Sequence, residues 1–302
     1  MRNAFVEALI QAAEEDSRIW LLTGDLGYSV LEKFAERFPD RFINAGVAEQ
    51  NMVGVAAGLA MAGKVVFTYS IANFPTLRCL EQIRNDVCYH NLPVISVAVG
   101  GGLAYGSLGY SHHAVEDLAI MRSLPNLAVV APGDPHETRA AVKALVARGG
   151  PGYLRLGKGG EASVHLAEPS ISAGEPLRMR AGKALTLIST GATLPMTMSA
   201  AALLFEEGIE AEVLSLPFVS PLPTEAIVRM AASTGRVVSV EEHGAGGLGG
   251  ALAEALCDSS TRLIPVSLQG NSCGSAGSQE YLRGQQGLTV ERIVEAARKI
   301  AA

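Results

Sequence analysis

Residues 44–63 read NAGVAEQNMVGVAAGLAMAG, one charged residue, Glu49, at the head of a helix built almost wholly from small side chains. Gly54, Gly58 and Gly63 would each cost such a helix about 1 kcal/mol against alanine. Interior glycines therefore argue that another backbone comes close. Together with Ala56, Ala57, Ala60 and Ala62 they give a thin helix that can pack on two sides. An apolar strand, RFINAG, leads directly into it, so the stretch reads as one strand-to-helix unit. Glu49 has two readings at this point. It caps the helix and complements its dipole, or it is a carboxyl aimed at whatever lies across the contact.

The same unit repeats in both directions. IWLLTGD (19–25) is a short apolar run ended by Gly24 and Asp25, the signature of a buried parallel strand. KVVFTYS (64–70) and LPVISVAV (92–99) are two more, with a helix predicted between them over 74–90. Beyond the loop 100–113 come a helix in EDLAIMRSL, a strand in NLAVVAP and a helix over DPHETRAAVKALVARG, with Asp134 as its cap. After a Gly-, Ser- and Pro-rich stretch the alternation restarts at ALTLIST (184–190) and runs to a last helix over 289–301. Strands alternating with helices of 10–18 residues require parallel, doubly wound sheets. The expected organisation is α/β: a first domain over 1–160, a linker over 161–182 and a smaller second domain over 183–302.

Composition removes several function classes. Hydrophobic residues make up 48% of the 302 and charged residues 18%, a globular balance. A net charge of −6 without clustered Lys and Arg argues against nucleic acid. No apolar run reaches the ~18 residues that a membrane span needs. The amphipathic, acidic start is unlike a targeting peptide. Cys79, Cys88, Cys257 and Cys273 have no zinc spacing, so reduced thiols in the cytoplasm are expected. No metal site is expected on this chain.

Two places could carry chemistry besides Glu49. The loop GGGLAYGSLGYSHH (100–113) holds two tyrosines and the pair His112 and His113 at the C-terminal end of a strand. Ligands bind at that edge in open α/β sheets, although a solvated surface loop would look the same. Asp25 has equivalent placement, with a helix cap as its plain alternative. There is no GxxxxGK[ST] and no HExxH. An enzyme-like chain without a complete cofactor site suggests that part of the site lies on another chain.

GVAEQNMVGVAAGLAMAG, HNLPV (90–94) and RSLPNLAVVAPGDPHE (122–137) closely resemble the pyrimidine-binding domain of transketolases and 1-deoxyxylulose-5-phosphate synthases. VVSVEEHGAGGLGGALAEAL and GSAGSQEYLRGQQGLT resemble their C-terminal domain. The family's diphosphate domain, with its GDG-type metal motif, has no counterpart. The resemblance implies the C-terminal subunit of a split transketolase that moves a two-carbon ketol unit from a ketose-type donor to an aldehyde. It also implies thiamine diphosphate as cofactor, Mg²⁺ held mainly by a separate N-terminal subunit, contacts between like chains, and a heterotetramer.

By the same resemblance Glu49 hydrogen-bonds N1′ of the aminopyrimidine and so promotes proton removal from thiazolium C2. Tyr69 and Phe74 fall in the family's stretch for the aminopyrimidine slot, although about three extra residues stand there. Asp25 matches an aspartate of the cofactor-side interface. His112 matches the histidine of the GPTHQ motif, here GYSHH, which faces the cofactor and a donor hydroxyl. Ser29 and Lys158 align with a serine and an arginine that hold the sugar-phosphate tail, lysine losing the bidentate fork. Arg78 matches an arginine of several relatives and carries no assignment. Leu108 replaces a donor-contacting aspartate and Gly100 a phosphate-contacting histidine, so the expected substrates differ from xylulose 5-phosphate and ribose 5-phosphate. A rival is the beta subunit of the decarboxylating component of a 2-oxo-acid dehydrogenase; GVAEQ, the SLPN run and the SHH loop stand against it. The other rival, a non-catalytic homologue, is opposed by the presence of Glu49 and His112. Glu241, Glu242 and His243 read as structural or as part of a subunit contact.

Overall fold

The structure is a computed structural model that describes residues 1–269 and 274–302. Its first half runs α1 (Arg2–Glu15), β1 (Ile19–Thr23), α2 (Glu32–Arg37), β2 (Phe42–Asn44), α3 (Glu49–Met61) and β3 (Val65–Ile71). The short α4 (Leu80–Gln82) follows, then β4 (Val94–Val99), α5 (Asp117–Arg122), β5 (Ala128–Val130), α6 (Pro135–Arg148) and β6 (Gly152–Leu156). The second half holds β7 (Leu177–Arg180), β8 (Leu185–Ser189), α7 (Leu194–Glu206), β9 (Ala211–Ser215), β10 (Phe218–Ser220) and α8 (Thr224–Thr234). It ends with β11 (Arg236–Val240), α9 (Leu248–Leu256), β12 (Arg262–Val266), α10 (Gln279–Gln285) and α11 (Val290–Ala301).

A seven-stranded sheet has the order β10-β5-β6-β4-β3-β1-β2, and a five-stranded sheet the order β12-β11-β8-β9-β7. Both are parallel except at one edge each, where β10 and β7 pair antiparallel. All six residues of β4 are buried, which is why a central parallel strand reads as an unbroken apolar run. One face of the large sheet is covered by α1 and α6 around Phe5, Leu9, Val142 and Leu145. The other face is covered by α3 and α5 around Met52, Val53, Ala56, Leu118 and Met121.

Three features depart from the expected organisation. The segment expected as linker contains β7, an edge strand that pairs with β9. β10, from the second half of the chain, lies against β5 of the first sheet, with Phe218 opposite Val130. The 74–90 helix is wound differently: Phe74–Arg78 and Ile83–Cys88 are π-helical and flank α4. Pro75 in the first turn has no N–H to donate, and the Thr76 hydroxyl bonds back to the Ala72 carbonyl. Asp134 does cap α6, accepting from the Glu137 N–H at 2.8 Å.

Candidate functional site

Glu49 opens α3 with its side chain only 2% exposed. Room for the carboxylate comes from Gly24, where a Cβ would lie 3.4 Å from Glu49 Cγ. Arg78 Nη1 donates to Glu49 Oε2 at 2.6 Å, although 46% of the arginine side chain is exposed. Arg78 stands four residues after Phe74 and so on the same side of the turn, with the guanidinium 4.8 Å from the Phe74 ring centroid. Gln50 fixes the turn by donating to the Arg78 carbonyl at 3.0 Å. The Phe74 ring meets His112 edge-on, centroids 5.3 Å apart. Asn73 donates to the Ser111 carbonyl at 3.0 Å, and Ser111 Oγ lies 3.0 Å from His112 Nδ1. Glu49, Arg78, Phe74 and His112 thus form one continuous cluster, which takes in the arginine that sequence reasoning left unassigned.

Asp25 stands at the end of β1 beside this cluster. Its φ of +58° is a left-handed conformation, which aspartate tolerates better than most residues. Asn44 Nδ2 donates to Asp25 Oδ1 at 2.9 Å, and the Tyr28 hydroxyl donates to the same oxygen at 3.1 Å. Those two bonds, Asn44 foremost, hold the Asp25 carboxyl below the usual carboxylate range.

Tyr69 is not in this cluster. Side chains alternate across a strand, and on β3 Tyr69 points to the α1 side, where its ring stacks on Phe5 at 5.9 Å. α3 lies on the opposite side of the sheet. Burial pushes the phenol pKa of Tyr69 up, and the ring backs the Asp25–Ser29 loop, coming within 3.2 Å of where a Gly27 Cβ would sit. The pair expected to form one slot is therefore split, with only Phe74 beside Glu49.

Ser29 and Lys158 border two adjoining cavities farther along the same edge. Ser29, at φ +62°, lines a cavity of about 380 Å³ with Asn3, Glu7 and Lys33. Lys158 lines one of about 410 Å³ with Arg2, Asn3, Glu7 and Arg139. Arg139 is neutralised by Glu7 at 2.8 Å, and Glu161 takes the Met1 amino group at 2.7 Å. Arg2 and Lys158 have no carboxylate among the described residues, and Arg2 Nε is buried without a hydrogen-bond partner. Arg2, which nothing in the sequence singled out, thereby joins the candidate site.

The glycine run 100–102 is a packing device. A Cβ on Gly100 would lie 2.1 Å from the Tyr105 ring, one on Gly101 2.5 Å from Arg155 Nε, and one on Gly102 2.6 Å from Glu242 Cδ. Arg155 is buried and donates to Asp117 at 2.7 Å and to the Glu242 carbonyl at 3.0 Å. The Glu242 carboxylate accepts from the Leu103 N–H at 3.1 Å, from Gln279 and from Arg283. These contacts lock the loop to the second half of the chain. Residues 244–249 also spell GxGxxG after β11, a pattern that elsewhere binds dinucleotides. Here Glu241 occupies that helix N-terminus, accepting from the N–H groups of Leu248 and Gly249 at 2.6 and 2.7 Å. An anion already fills the place of a phosphate. Among the described residues no cluster of His, Cys, Asp and Glu could hold a metal ion, and no helix is long and apolar enough to cross a membrane.

Apart from Arg2 on α1, the side chains gathered here follow the ends of β1, β2, β3, β4 and β6, all at the C-terminal edge of the parallel part of one sheet. That placement defines the ligand-binding class of open α/β proteins. Within that class the chain belongs to the transketolase family: residues 1–160 match the transketolase pyrimidine binding domain and residues 174–293 the transketolase C-terminal domain. It is 36% identical to the 6-deoxy-6-sulfo-D-fructose transketolase subunit of Clostridium sp. (strain MSTE9), over 99% of this chain and 94% of that protein. It is also 36% identical to an apulose-4-phosphate transketolase subunit of Phocaeicola vulgatus, over 98% of this chain and 96% of that one. Among solved structures it superposes on a split gene transketolase, described as an inactive beta4 tetramer, with a TM-score of 0.90 and 37% identity over 99% and 97% of the two chains.

Proposed function

We propose that this chain is the C-terminal subunit of a two-chain transketolase, moving a two-carbon ketol unit from a ketose-type donor to an aldehyde acceptor. Glu49 carries the reading. A carboxylate kept dry at a helix N-terminus and bonded to an arginine that is half in solvent is sealed yet reachable. The donor set fits the pyrimidine half of thiamine diphosphate: a carboxylate to hold a proton at ring nitrogen N1′, and the Phe74 ring beside it for stacking. When bound, this cofactor supplies the electron sink for carbon–carbon cleavage and transfer. The contacts of His112 with Ser111 and Phe74 support its assignment to face the cofactor and a donor hydroxyl. Asp25 completes the cofactor side, and Tyr69 supports it from behind the Asp25–Ser29 loop.

Arg2 and Lys158, with Ser29 beyond them, suit an anionic tail. Two relatives are named for a sulfo-sugar and a phospho-sugar, which supports such a tail here. Leu108 is 55% exposed and Gly100 lies under Tyr105, so neither position offers a polar contact to a substrate. That supports substrates other than the xylulose 5-phosphate and ribose 5-phosphate pair. Mg²⁺ and the diphosphate are assigned to a separate N-terminal subunit, in a cytoplasmic heterotetramer.

Reconstitution tests the reading. Mixed with its N-terminal subunit, thiamine diphosphate and Mg²⁺, the chain should transfer ketol units, while the chain alone should not. Glu49→Gln should lower kcat by about a hundredfold or more, the range for losing a positioned proton-transfer group. An equally active variant would overturn the assignment.

A further inference from the structure

Lys158 stands in the run Gly157-Lys158-Gly159-Gly160, with φ of +129° and +85° at the two following glycines. Such a backbone does little to direct a long side chain. What the ammonium does meet is the ring of Tyr105, 5.2 Å from its centroid. That ring is itself held in place. It packs against the core beneath α1, and its edge rests on Gly100, where a Cβ would come within 2.1 Å of Cδ2. Gly100 also has φ +83°, so a side chain there would meet both a strained backbone and the ring. The absence of a side chain at position 100 is thus the seat for Tyr105.

We infer that Tyr105 is a positioning residue for anion recognition: seated on Gly100, its ring holds the Lys158 ammonium at the wall of the cavity that Lys158 shares with Arg2. The ring is half-buried and Lys158 is exposed, so the contact carries the modest strength of a solvent-accessible cation–π pair. The ammonium so fixed retains its N–H donors for a phosphoryl or sulfonyl oxygen. This rests on the transketolase reading only for the identity of the substrate that bears the anion; the anion site itself does not require it.

The assembled enzyme would be assayed with a phosphorylated aldehyde acceptor and with the same aldehyde lacking phosphate. Tyr105→Leu should raise KM for the phosphorylated acceptor about threefold to fivefold, the ratio that a modest cation–π contact supplies. It should leave kcat, and KM for the unphosphorylated acceptor, unchanged. Tyr105→Phe keeps the ring and should match the wild type. In a Lys158→Met background, Tyr105→Leu should add nothing, because the ring then has no cation to hold. In parallel, inorganic phosphate would be titrated into the full-length chain alone while acetylation of Lys158 is followed by mass spectrometry. The half-protecting phosphate concentration should rise by a similar factor in Tyr105→Leu. Equal KM rises for both acceptors, a Tyr105→Phe variant that behaves like the leucine, or wild-type Lys158 unprotected by phosphate would each overturn the inference. Should the wild-type assembly transfer no ketol while phosphate still protects Lys158, the reaction assignment fails and the anion site stands.

Discussion

Arg78 gives its guanidinium to two neighbours, the Glu49 carboxylate at 2.6 Å and the Phe74 ring at 4.8 Å. The first contact matters more for stability, because a buried carboxylate without a donor bears the whole cost of desolvation. Arg78→Met keeps most of the stem's packing and removes the donor. The isolated chain should then lose about 2 kcal/mol in urea unfolding, the usual cost of orphaning a buried acceptor. Under the proposed function the cofactor supplies a new partner to Glu49. Thiamine diphosphate should therefore raise the melting temperature of the Arg78→Met assembly by more than it raises the wild type's. An equal shift in both would mean that the arginine keeps its bond to Glu49 in the loaded site. Little of this pairing was legible in the sequence. Spacing alone offers Phe74 and Arg78 as an i,i+4 pair, but it does not show that the carboxylate of another helix, at Glu49, meets that guanidinium. The face of Tyr69 was a similar loss: strand alternation is readable, but not which side of the sheet each helix will cover.

The connection between the two sheets is held by a buried polar clip. One oxygen of Asp134 caps α6, and the other accepts from the N–H groups of Val164 and His165 at 2.9 and 2.8 Å. His165 Nδ1 lies 3.1 Å from that same oxygen and Nε2 lies 3.7 Å from Glu137. Glu137 in turn accepts from Ser215 on β9 at 2.6 Å. Burial alone would push the imidazole pKa down, but the bond to Asp134 and the nearby Glu137 charge outweigh it and hold His165 above the ordinary histidine value. Burial raises Glu137 as well. Both groups therefore stabilise the fold below their unfolded pKa values, and that contribution is lost as pH rises through the folded ones. Asp134, held well below its usual range, is lost only in strong acid. Corrected for intrinsic rate, amide exchange at residues 162–166 should quicken as pH rises above the ordinary histidine pKa of about 6.5. In His165→Gln the pH dependence should flatten; an unchanged profile would place the titrating group elsewhere. At this scale the sequence was most informative where strands are central. β1, β3 and β4 are buried along almost their whole length and announced themselves as apolar runs. β7 and β10 did not, because LRMR and FVS are short edge strands whose pairing depends on neighbours remote in the chain.

For the whole molecule the informative surface is the outer side of α3. The sequence marked Gly54 and Gly58 as places where another backbone comes close, yet a Cβ at either position has nothing within 4 Å among the described residues. Asn51, Val55 and Met61 share that exposed side. Among the described residues no contact requires the two glycines, whose conformational cost the helix carries. Under the proposed function a second subunit packed on α3 would supply such a contact, with the Glu49 end of the helix at the joint between chains. The consequence separates folding from assembly. Gly54→Ala with Gly58→Ala should stabilise the isolated chain by about 1–2 kcal/mol, through helix propensity and a less flexible unfolded state. The same pair should weaken association with the N-terminal subunit, or between copies of this chain, as read by light scattering across a dilution series. Gly58→Leu should weaken it further and reduce ketol transfer in proportion to the complex lost. Variants that melt higher and still assemble and turn over like the wild type would show that α3 faces solvent in the working enzyme.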